Sequence, residues 1–238
     1  MIYVMSDIHG ELDKFERMLQ KINFNSEDTL YIIGDAVDRG PHPIGVLKLM
    51  MSYPNIIPII GNHELMALRS LNLLGNEVTD EFLDNLSIDD YHNLQNWILN
   101  GGSSTIKEYQ KLNEEEREII LDFLGEFISY EVVNVGNTEY YLIHAGLRNF
   151  SRKKALYEYD LKDLVWARTN YDEAYFDDKI VITGHTPTQT IKGCPKPGYI
   201  YKNKNNIAID CGACFEGGRL GAMCLDTGEE FYVSHYNK

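Results

Sequence analysis

Five short polar segments contain the residues of this chain that could do chemistry. They are DIH at 7–9, GDAVDRG at 34–40, GNHE at 61–64, IHAG at 143–146 and GHT at 184–186. Each segment follows a short apolar run that is typical of a buried strand. Strand ends that deliver carboxylate, amide and imidazole side chains one or two at a time suit a two-metal hydrolase. The five segments in this order therefore predict a dinuclear metal site.

Two overlapping ligand sets follow from the segments. Asp7 and His9 flank one apolar residue, and a turn beyond the strand lets both side chains converge on one cation. Asp35 follows the next strand, and each of its carboxylate oxygens can take one ion. The predicted first set is Asp7, His9 and Asp35, and the second is Asp35, Asn62, His144 and His185. These ligands suit two divalent ions of manganese, iron, zinc or cobalt, of which we expect manganese.

Phosphoryl transfer also needs a proton donor and cationic side chains. His63 is the predicted general acid, and Asp38 is predicted to accept its other N–H. The guanidinium of Arg39 matches the oxygens of a phosphate. Arg168, in the sequence WAR, is a second predicted phosphate ligand, with stacking on Trp166 at the surface as its alternative.

These motifs resemble those of the calcineurin-type metallophosphoesterases from residue 7 to at least residue 218. Pro187 stands where many nucleases and phosphodiesterases of that superfamily have a further histidine. The chain therefore most resembles the phosphoprotein phosphatase branch, with its bacterial and bacteriophage serine/threonine phosphatases. The resemblance implies an α/β fold, a central β-sandwich flanked by helices, with the metals on strand-end loops. It implies the same roles as above: metal ligands at Asp7, His9, Asp35, Asn62, His144 and His185, an acid pair of His63 and Asp38, and phosphate binding by Arg39 and Arg168.

Strand and helix patterns alternate in the first third of the chain, which predicts βαβ units and a parallel sheet. The predicted strands there are 2–5, 29–33 and 55–60, and the predicted helices are 11–22, 44–51 and 66–74. Gly136 and Asn137 predict a hairpin turn between strands at 127–135 and 138–144. Later strands are predicted at 180–183, 206–210, 220–225 and 230–235, and residues 192–206 are predicted to be a surface loop.

Residues 75–127 have a polar helical pattern without a strand signal. We expect this segment to be a helical insertion in a single catalytic domain that spans residues 1–238. Its acidic run at 114–116 suits the solvated first turn of a helix.

The charge and the cysteines narrow the choice of partners. A formal net charge of −14 argues against a binder of nucleic-acid backbones, because no basic stripe is present. No apolar stretch approaches the roughly 20 residues that span a bilayer, and the start lacks the basic region of a signal peptide. We therefore expect a cytoplasmic protein without a membrane partner. The CxxC spacing at 211–214 has no second metal-binding pair, so reduced thiols are expected rather than zinc.

Three functions compete. The main hypothesis is hydrolysis of phosphoserine and phosphothreonine monoesters of proteins, by in-line attack of a water held between two metals, and Asp38 favours it. The alternative is a bis(5′-nucleosyl)-tetraphosphatase that hydrolyses a nucleotide polyphosphate such as diadenosine tetraphosphate, as bacterial relatives with the same metal motifs do. An inactive binding module would have lost a ligand or the acid, and neither loss is seen. We expect the insertion and the 192–206 loop to select the substrate.

Overall fold

The structure is a computed structural model, and it describes residues 1–74 and 87–234. Within these residues the chain forms two five-stranded sheets surrounded by helices. The strands are β1 (Ile2–Met5), β2 (Thr29–Ile33), β3 (Ile56–Ile59), β4 (Glu131–Val135), β5 (Thr138–Leu142), β6 (Lys179–Thr183), β7 (Tyr201–Asn203), β8 (Asn206–Ala208), β9 (Arg219–Cys224) and β10 (Glu230–Ser234). The helices are α1 (Leu12–Lys21), α2 (Pro43–Met51), α3 (Asn62–Leu74), α4 (Ile88–Trp97), α5 (Ser103–Tyr109), α6 (Glu114–Gly125) and α7 (Leu161–Val165). No helix in these ranges is long and apolar enough to cross a membrane.

Both sheets are mixed, and each contains three neighbouring parallel strands. The first sheet has the order β10-β9-β1-β2-β3, in which β1, β2 and β3 are parallel. The second has the order β4-β5-β6-β8-β7, in which β5, β6 and β8 are parallel. The prediction of an α/β sandwich flanked by helices is confirmed. Because parallel strands end at the same edge, each sheet presents three carboxyl ends together, the usual place for a ligand site.

Apolar side chains from both sheets fill the space between them. In β1, Val4 points into this sandwich, whereas its neighbours Tyr3 and Met5 point outward and join the cluster that contains Phe15 and Met18 of α1. The alternation is the period of two expected for a strand that is covered on both faces. The cluster between the sheets comprises Val4, Ile33, Ile59, Val133, Leu142, Ile182, Ile207, Ile209, Met223 and Leu225.

Three predictions about element bounds are wrong. The strand predicted at 127–135 begins four residues later, because β4 starts at Glu131. The third helix was expected to begin at residue 66, but α3 begins at Asn62, so the GNHE segment opens the helix instead of preceding it. The 192–206 segment was expected to be a loop throughout, but it contains β7, which pairs with β8. The turn between these strands is Lys204-Asn205, and both residues have positive φ, as a two-residue hairpin turn requires. Lysine is unusual in that position, which is why the sequence did not suggest a hairpin.

Helices occupy the described part of the predicted insertion. Its first part, residues 75–86, lies outside the described residues. Beyond it, α4 packs along α3, and α6 packs against both α2 and α3. Between α4 and α5 the chain makes a π-helical turn at Ile98–Gly102. Asn113 caps α6, and the acidic run of Glu114, Glu115 and Glu116 forms its first turn, as predicted.

A single buried carboxylate ties the end of β2 to the start of α3. One oxygen of Glu64 accepts hydrogen bonds from the backbone N–H groups of Asp35 and Gly61, at 2.8 and 2.9 Å. The other oxygen accepts from Ala36 and Val37, at 2.8 and 3.2 Å. Glu64 is fully buried, so these four donors have no access to water. The loop after β2 is therefore held in shape by a side chain that the sequence did not single out.

Glu64→Gln is expected to lower the free energy of unfolding by about 2 to 4 kcal/mol, because its amide nitrogen would leave two of the four buried N–H groups without an acceptor. The measurement is urea unfolding of chelator-treated protein. Glu118→Gln on the exposed face of α6 is the matched control and should change stability by less than about 0.5 kcal/mol. Equal urea midpoints for the two variants would show that the hydrogen bonds accepted by Glu64 do not stabilise the fold.

Candidate dinuclear metal centre

The six predicted metal ligands meet where the parallel strands of the two sheets end. Asp7, Asp35 and Asn62 follow β1, β2 and β3 of the first sheet. His144 and His185 follow β5 and β6 of the second sheet. His9 lies two residues beyond Asp7 in the same turn. Five of the six are buried and His185 is half-buried, so the structure brings together side chains from distant parts of the chain in a largely enclosed place.

The turns that carry these side chains have an unusual backbone. Among the described residues, ten other than glycine have positive φ. Six of the ten belong to the predicted site: Asp7, His9, Asp35, Asp38, Arg39 and His185. Non-glycine residues in this region cost energy, and they concentrate at functional sites where the surrounding structure fixes them. The sharp turns direct successive side chains toward one point instead of alternating them as a strand would.

The second predicted ligand set is compact. The His144 Nε2 atom lies 3.3 Å from Asp35 Oδ1 and 3.0 Å from Asn62 Oδ1. The Nδ1 atom of His185 lies 2.8 Å from the same oxygen of Asn62. Ligand atoms of Asp35, His144 and His185 all lie within 4.8 Å of one another, a separation that one ion could span.

The first predicted set lies on the other side of Asp35. His9 Nε2 is 3.7 Å from Asp35 Oδ2 and 3.9 Å from Asp7 Oδ1. His63 also faces this point, with its Nε2 atom 3.9 Å from Asp35 Oδ2. The two oxygens of Asp35 thus face different histidines, as a carboxylate that bridges two ions must.

Hydrogen bonds to the outer ring nitrogens prepare the histidines as ligands. His9 Nδ1 lies 2.9 Å from the backbone oxygen of Val37, and His144 Nδ1 lies 2.9 Å from that of Ile33. A carbonyl can only accept, so each Nδ1 carries a proton and Nε2 is the ring atom left to face the candidate centre. Burial, followed by the charge of His144, lowers the pKa of His185 to about 3 and keeps this ring neutral.

The electrostatics also favour cations. Burial, with the nearby charges of Asp210 and Asp35, raises the pKa of Asp7 well above its usual value. Burial likewise raises the pKa of Asp210 to about 6. Against the cost of burial, the charge of Asp35 raises the pKa of His144 to about 10. Crowded buried carboxylates and a strong preference for positive charge are what divalent ions would satisfy, so the residues present fit a dinuclear centre.

Asp210 follows β8, the third parallel strand of the second sheet, and was not predicted to belong to the site. It is buried, and one of its oxygens accepts the backbone N–H of Gly212 at 2.8 Å. Its position after an apolar strand end is the same signal that identified Asp7 and Asp35.

The predicted acid pair is in contact. His63 Nδ1 lies 2.6 Å from Asp38 Oδ2, and both side chains are buried. Burial opposes protonation of His63, but the charges of Asp35 and Asp38 outweigh it and raise its pKa. Two residues of the predicted insertion complete the network: Trp97 Nε1 donates to Asp38 Oδ2 at 2.8 Å, and Thr105 Oγ1 donates to Asp38 Oδ1 at 2.5 Å. Sequence reasoning missed both, because each lies on a helix far along the chain.

The Asn100-Gly101-Gly102 turn holds this network close to Arg39. Gly101 has a φ of +106°, and its carbonyl accepts the backbone N–H of Arg39 at 3.1 Å. A Cβ atom on Gly101 would come within 2.7 Å of Arg39 Cγ, and one on Gly102 within 2.7 Å of the Trp97 ring. Side chains at either position would push Arg39 or Trp97 out of place.

Both predicted phosphate ligands lie at the site. Arg39 places its two terminal nitrogens 2.7 Å from His9 Nε2 and 3.0 Å from His63 Nε2. Arg168 is exposed and donates to the backbone oxygen of His185 at 3.2 Å and to Thr186 Oγ1 at 2.9 Å. The site thus offers guanidinium groups on two sides, where they could hold the oxygens of a phosphate.

The CxxC pair lies beside the site. Burial raises the pKa of Cys211 well above its usual value, and it raises that of Cys214 to about 11 although Arg39 acts in the opposite direction. Both groups therefore stay thiols at neutral pH and do not have the thiolate character of metal ligands.

Comparison with known proteins decides the family. The model of the calcineurin-like phosphoesterases matches residues 1–212. The chain belongs to this family. The resemblance inferred from the motifs is thereby confirmed, and so is the expectation of a metal-dependent phosphoesterase; manganese stays a prediction.

The proteins similar to this chain carry two different activities in their names. A symmetrical bis(5′-nucleosyl)-tetraphosphatase of Erwinia tasmaniensis is 34% identical over 113 residues, which are 46% of this chain and 41% of the relative. Less than half of that relative's length is therefore matched.

Two solved structures share the fold. A structure provisionally named a diadenosine tetraphosphatase has a TM-score of 0.63 at 17% identity, covering 100% of this chain and 94% of its own. A serine/threonine protein phosphatase from Saccharomyces cerevisiae has a TM-score of 0.60 at 14% identity, covering 100% and 80%.

Asp38→Asn is expected to shift the alkaline limit of activity to lower pH by about one unit. A general acid works only while protonated, so its activity is lost as the pH rises through its pKa. Asp38 helps to raise that pKa, and its removal lowers it. The asparagine fits, because its oxygen can accept from His63 and Trp97 while Thr105 rotates its hydroxyl to accept. The measurement is the pH dependence of kcat with a phosphothreonine peptide, whose basic leaving group depends on the acid.

Asp122→Asn on the exposed face of α6 is the control for this experiment and should leave the pH profile unchanged. If Asp38→Asn lowered kcat without moving the alkaline limit, Asp38 would orient His63 and would not set its pKa.

Proposed function

We propose that this protein hydrolyses dinucleoside tetraphosphates, cleaving them symmetrically into two nucleoside diphosphates. The observation that carries the substrate is the sequence similarity to symmetrical bis(5′-nucleosyl)-tetraphosphatases. The site geometry supports the reaction type, because Asp35 lies between two groups of buried histidines with an acid pair and two arginines beside them. The phosphoprotein phosphatase expected from the sequence is the weaker candidate: the yeast phosphatase shares only the fold, and the contact between His63 and Asp38 alone favours it.

Each residue of the site has a proposed role in this reaction. Two divalent ions held by Asp7, His9, Asp35, Asn62, His144 and His185 would polarise the phosphoryl oxygens and lower the pKa of a water when bound. Arg39 and Arg168 would bind the oxygens of the phosphate chain and stabilise the charge that spreads over them in the transition state. The water oxygen forms a bond to one of the two central phosphorus atoms, and the bond to the oxygen between them breaks.

His63 would give its Nε2 proton to the leaving oxygen, and Asp38 would hold the imidazolium in place. The need for this proton depends on the leaving group. A nucleoside diphosphate leaves as a phosphate whose second pKa is about 6, so it departs with little protonation. Serine or threonine leaves as a far more basic alkoxide and depends strongly on the acid.

His63→Asn is therefore expected to lower kcat roughly 10²- to 10⁴-fold on a phosphothreonine peptide and clearly less on diadenosine tetraphosphate. Metal content should stay near that of the wild type. The measurements are steady-state kinetics with both substrates and metal analysis of the purified variant. Loss of one ion in the variant would make His63 a ligand, which its position facing Asp35 and His9 permits.

The proposed substrate is tested by comparing diadenosine tetraphosphate with a phosphothreonine peptide on manganese-reconstituted protein. A kcat/KM at least tenfold higher for the dinucleotide, about 1.4 kcal/mol, supports the proposal. ADP as the sole nucleotide product would establish symmetrical cleavage, whereas ATP with AMP would contradict it. The reverse preference would make the protein a phosphoprotein phosphatase. Activity on neither substrate, with two metals bound, would favour a binding module.

A further inference from the structure

The loop between β8 and β9, residues 209–218, is closely fixed, and only its tip at residues 214–217 reaches the surface. The Phe215 N–H donates to the Gly212 oxygen, and the Phe215 oxygen accepts the Gly218 N–H, both at 3.0 Å. Buried Lys14 of α1 donates to the carbonyl of Ala213. Gly218 lies so close to the Gly212 carbonyl that a Cβ atom would overlap it. The backbone on either side of Phe215 is therefore held in one conformation.

This fixed loop presents an aromatic ring to solvent. Phe215 is 45% exposed, one of the large apolar side chains that the described residues leave open to water. Exposure of a single ring does not by itself identify a ligand surface, but it leaves the face of Phe215 accessible to any ligand that its surroundings hold nearby.

The ring also lies beside the predicted phosphate ligand. The guanidinium carbon of Arg39 is 5.8 Å from the centre of the Phe215 ring. The same guanidinium reaches His9 and His63, at 2.7 and 3.0 Å. One side chain therefore separates Phe215 from the candidate metal centre, and a ligand held by Arg39 can reach the ring.

We infer that Phe215 is the platform on which a nucleobase of the substrate stacks while Arg39 holds the phosphate chain. The inference rests on the proposed function and adds to it a residue that distinguishes nucleotides from other phosphate esters. Every base has an aromatic face, so stacking on a phenylalanine recognises nucleotides without selecting one base. A phosphoserine or phosphothreonine side chain has no ring to place there. The residue contributes to ground-state binding of the nucleoside and not to the chemical step.

The experiment compares ligands that differ only in having a base. Phe215→Ala is expected to raise KM for diadenosine tetraphosphate, and the calorimetric Kd for ADP, about 5- to 150-fold. The Kd for pyrophosphate should change less than about twofold, because this ligand has no base to stack on the ring. Phe215→Trp should restore nucleotide affinity, whereas Phe215→Leu, which keeps apolar bulk without a ring, should not. Tyr157→Ala removes an exposed aromatic residue that takes no part in the site contacts and should change neither ligand's affinity.

The outcomes separate this inference from the proposed function. If the wild type cleaves the dinucleotide and Phe215→Ala weakens ADP and pyrophosphate equally, the ring merely positions Arg39 and the platform is wrong. Unchanged affinity for both ligands would overturn it as well. If the wild type does not cleave the dinucleotide, the proposed function fails, but calorimetry with ADP and pyrophosphate still tests the role of Phe215. A Phe215→Ala variant that loses affinity for ADP and keeps its affinity for pyrophosphate would support the platform. Any other pattern of the two affinities would refute it. Thermal denaturation of each variant checks that the fold is intact.

Discussion

Mutual repulsion among buried carboxylates is the interaction around which this structure is organised. Burial, followed by the charge of neighbouring carboxylates that include Asp35, raises the pKa values of Asp7 and Asp210, whereas at Asp35 burial is outweighed by the nearby histidines, which keep its pKa well below its usual value. Burial lowers the pKa values of His9 and His185, whereas the charge of Asp35 overcomes burial and raises that of His144 to about 10, so this ring favours positive charge beside the carboxylates. The arrangement makes sense as a site for divalent cations. The negative charge of these carboxylates also explains why the guanidinium of Arg39, a permanent cation, extends to His9 and His63 at the edge of the centre.

The surrounding fold has to hold such a centre against that repulsion. It does so with backbone groups more than with ion pairs. Glu64 fixes the loop after β2 through three N–H groups and the start of α3 through a fourth, and the carbonyls of Ile33 and Val37 fix the rings of His144 and His9. Positive φ values at six site residues are tolerated because these hydrogen bonds leave the turns no other conformation. Rigidity of this kind keeps ligand atoms in place before an ion or a substrate arrives.

Most of the fold, and the meeting of the six candidate ligands at one place, could be predicted from the sequence, because apolar strands followed directly by polar turns are a local signal. The supporting residues could not be predicted in this way. Trp97 and Thr105 contact Asp38 from helices whose packing no local pattern specifies. Asn62 and Glu64 resemble loop residues until the helix that begins there is seen. The relatives favour the alternative substrate over the main hypothesis, and Asp38 could not have decided between them, because it bears on how the proton of His63 is held and little on what is bound.

The division of the ligands between two sheets has a consequence for how the protein is made. The backbone N–H of His185 donates to the Asp7 carboxylate across 178 residues of sequence. Contacts of such long range form late, because a large part of the chain must be ordered before they can be made. During synthesis the first three strands emerge with their acidic residues well before the histidines of the second sheet exist. A ribosome-bound chain therefore carries the carboxylates of the candidate centre before it carries His144 and His185, so the centre can be assembled only after most of the chain has been made.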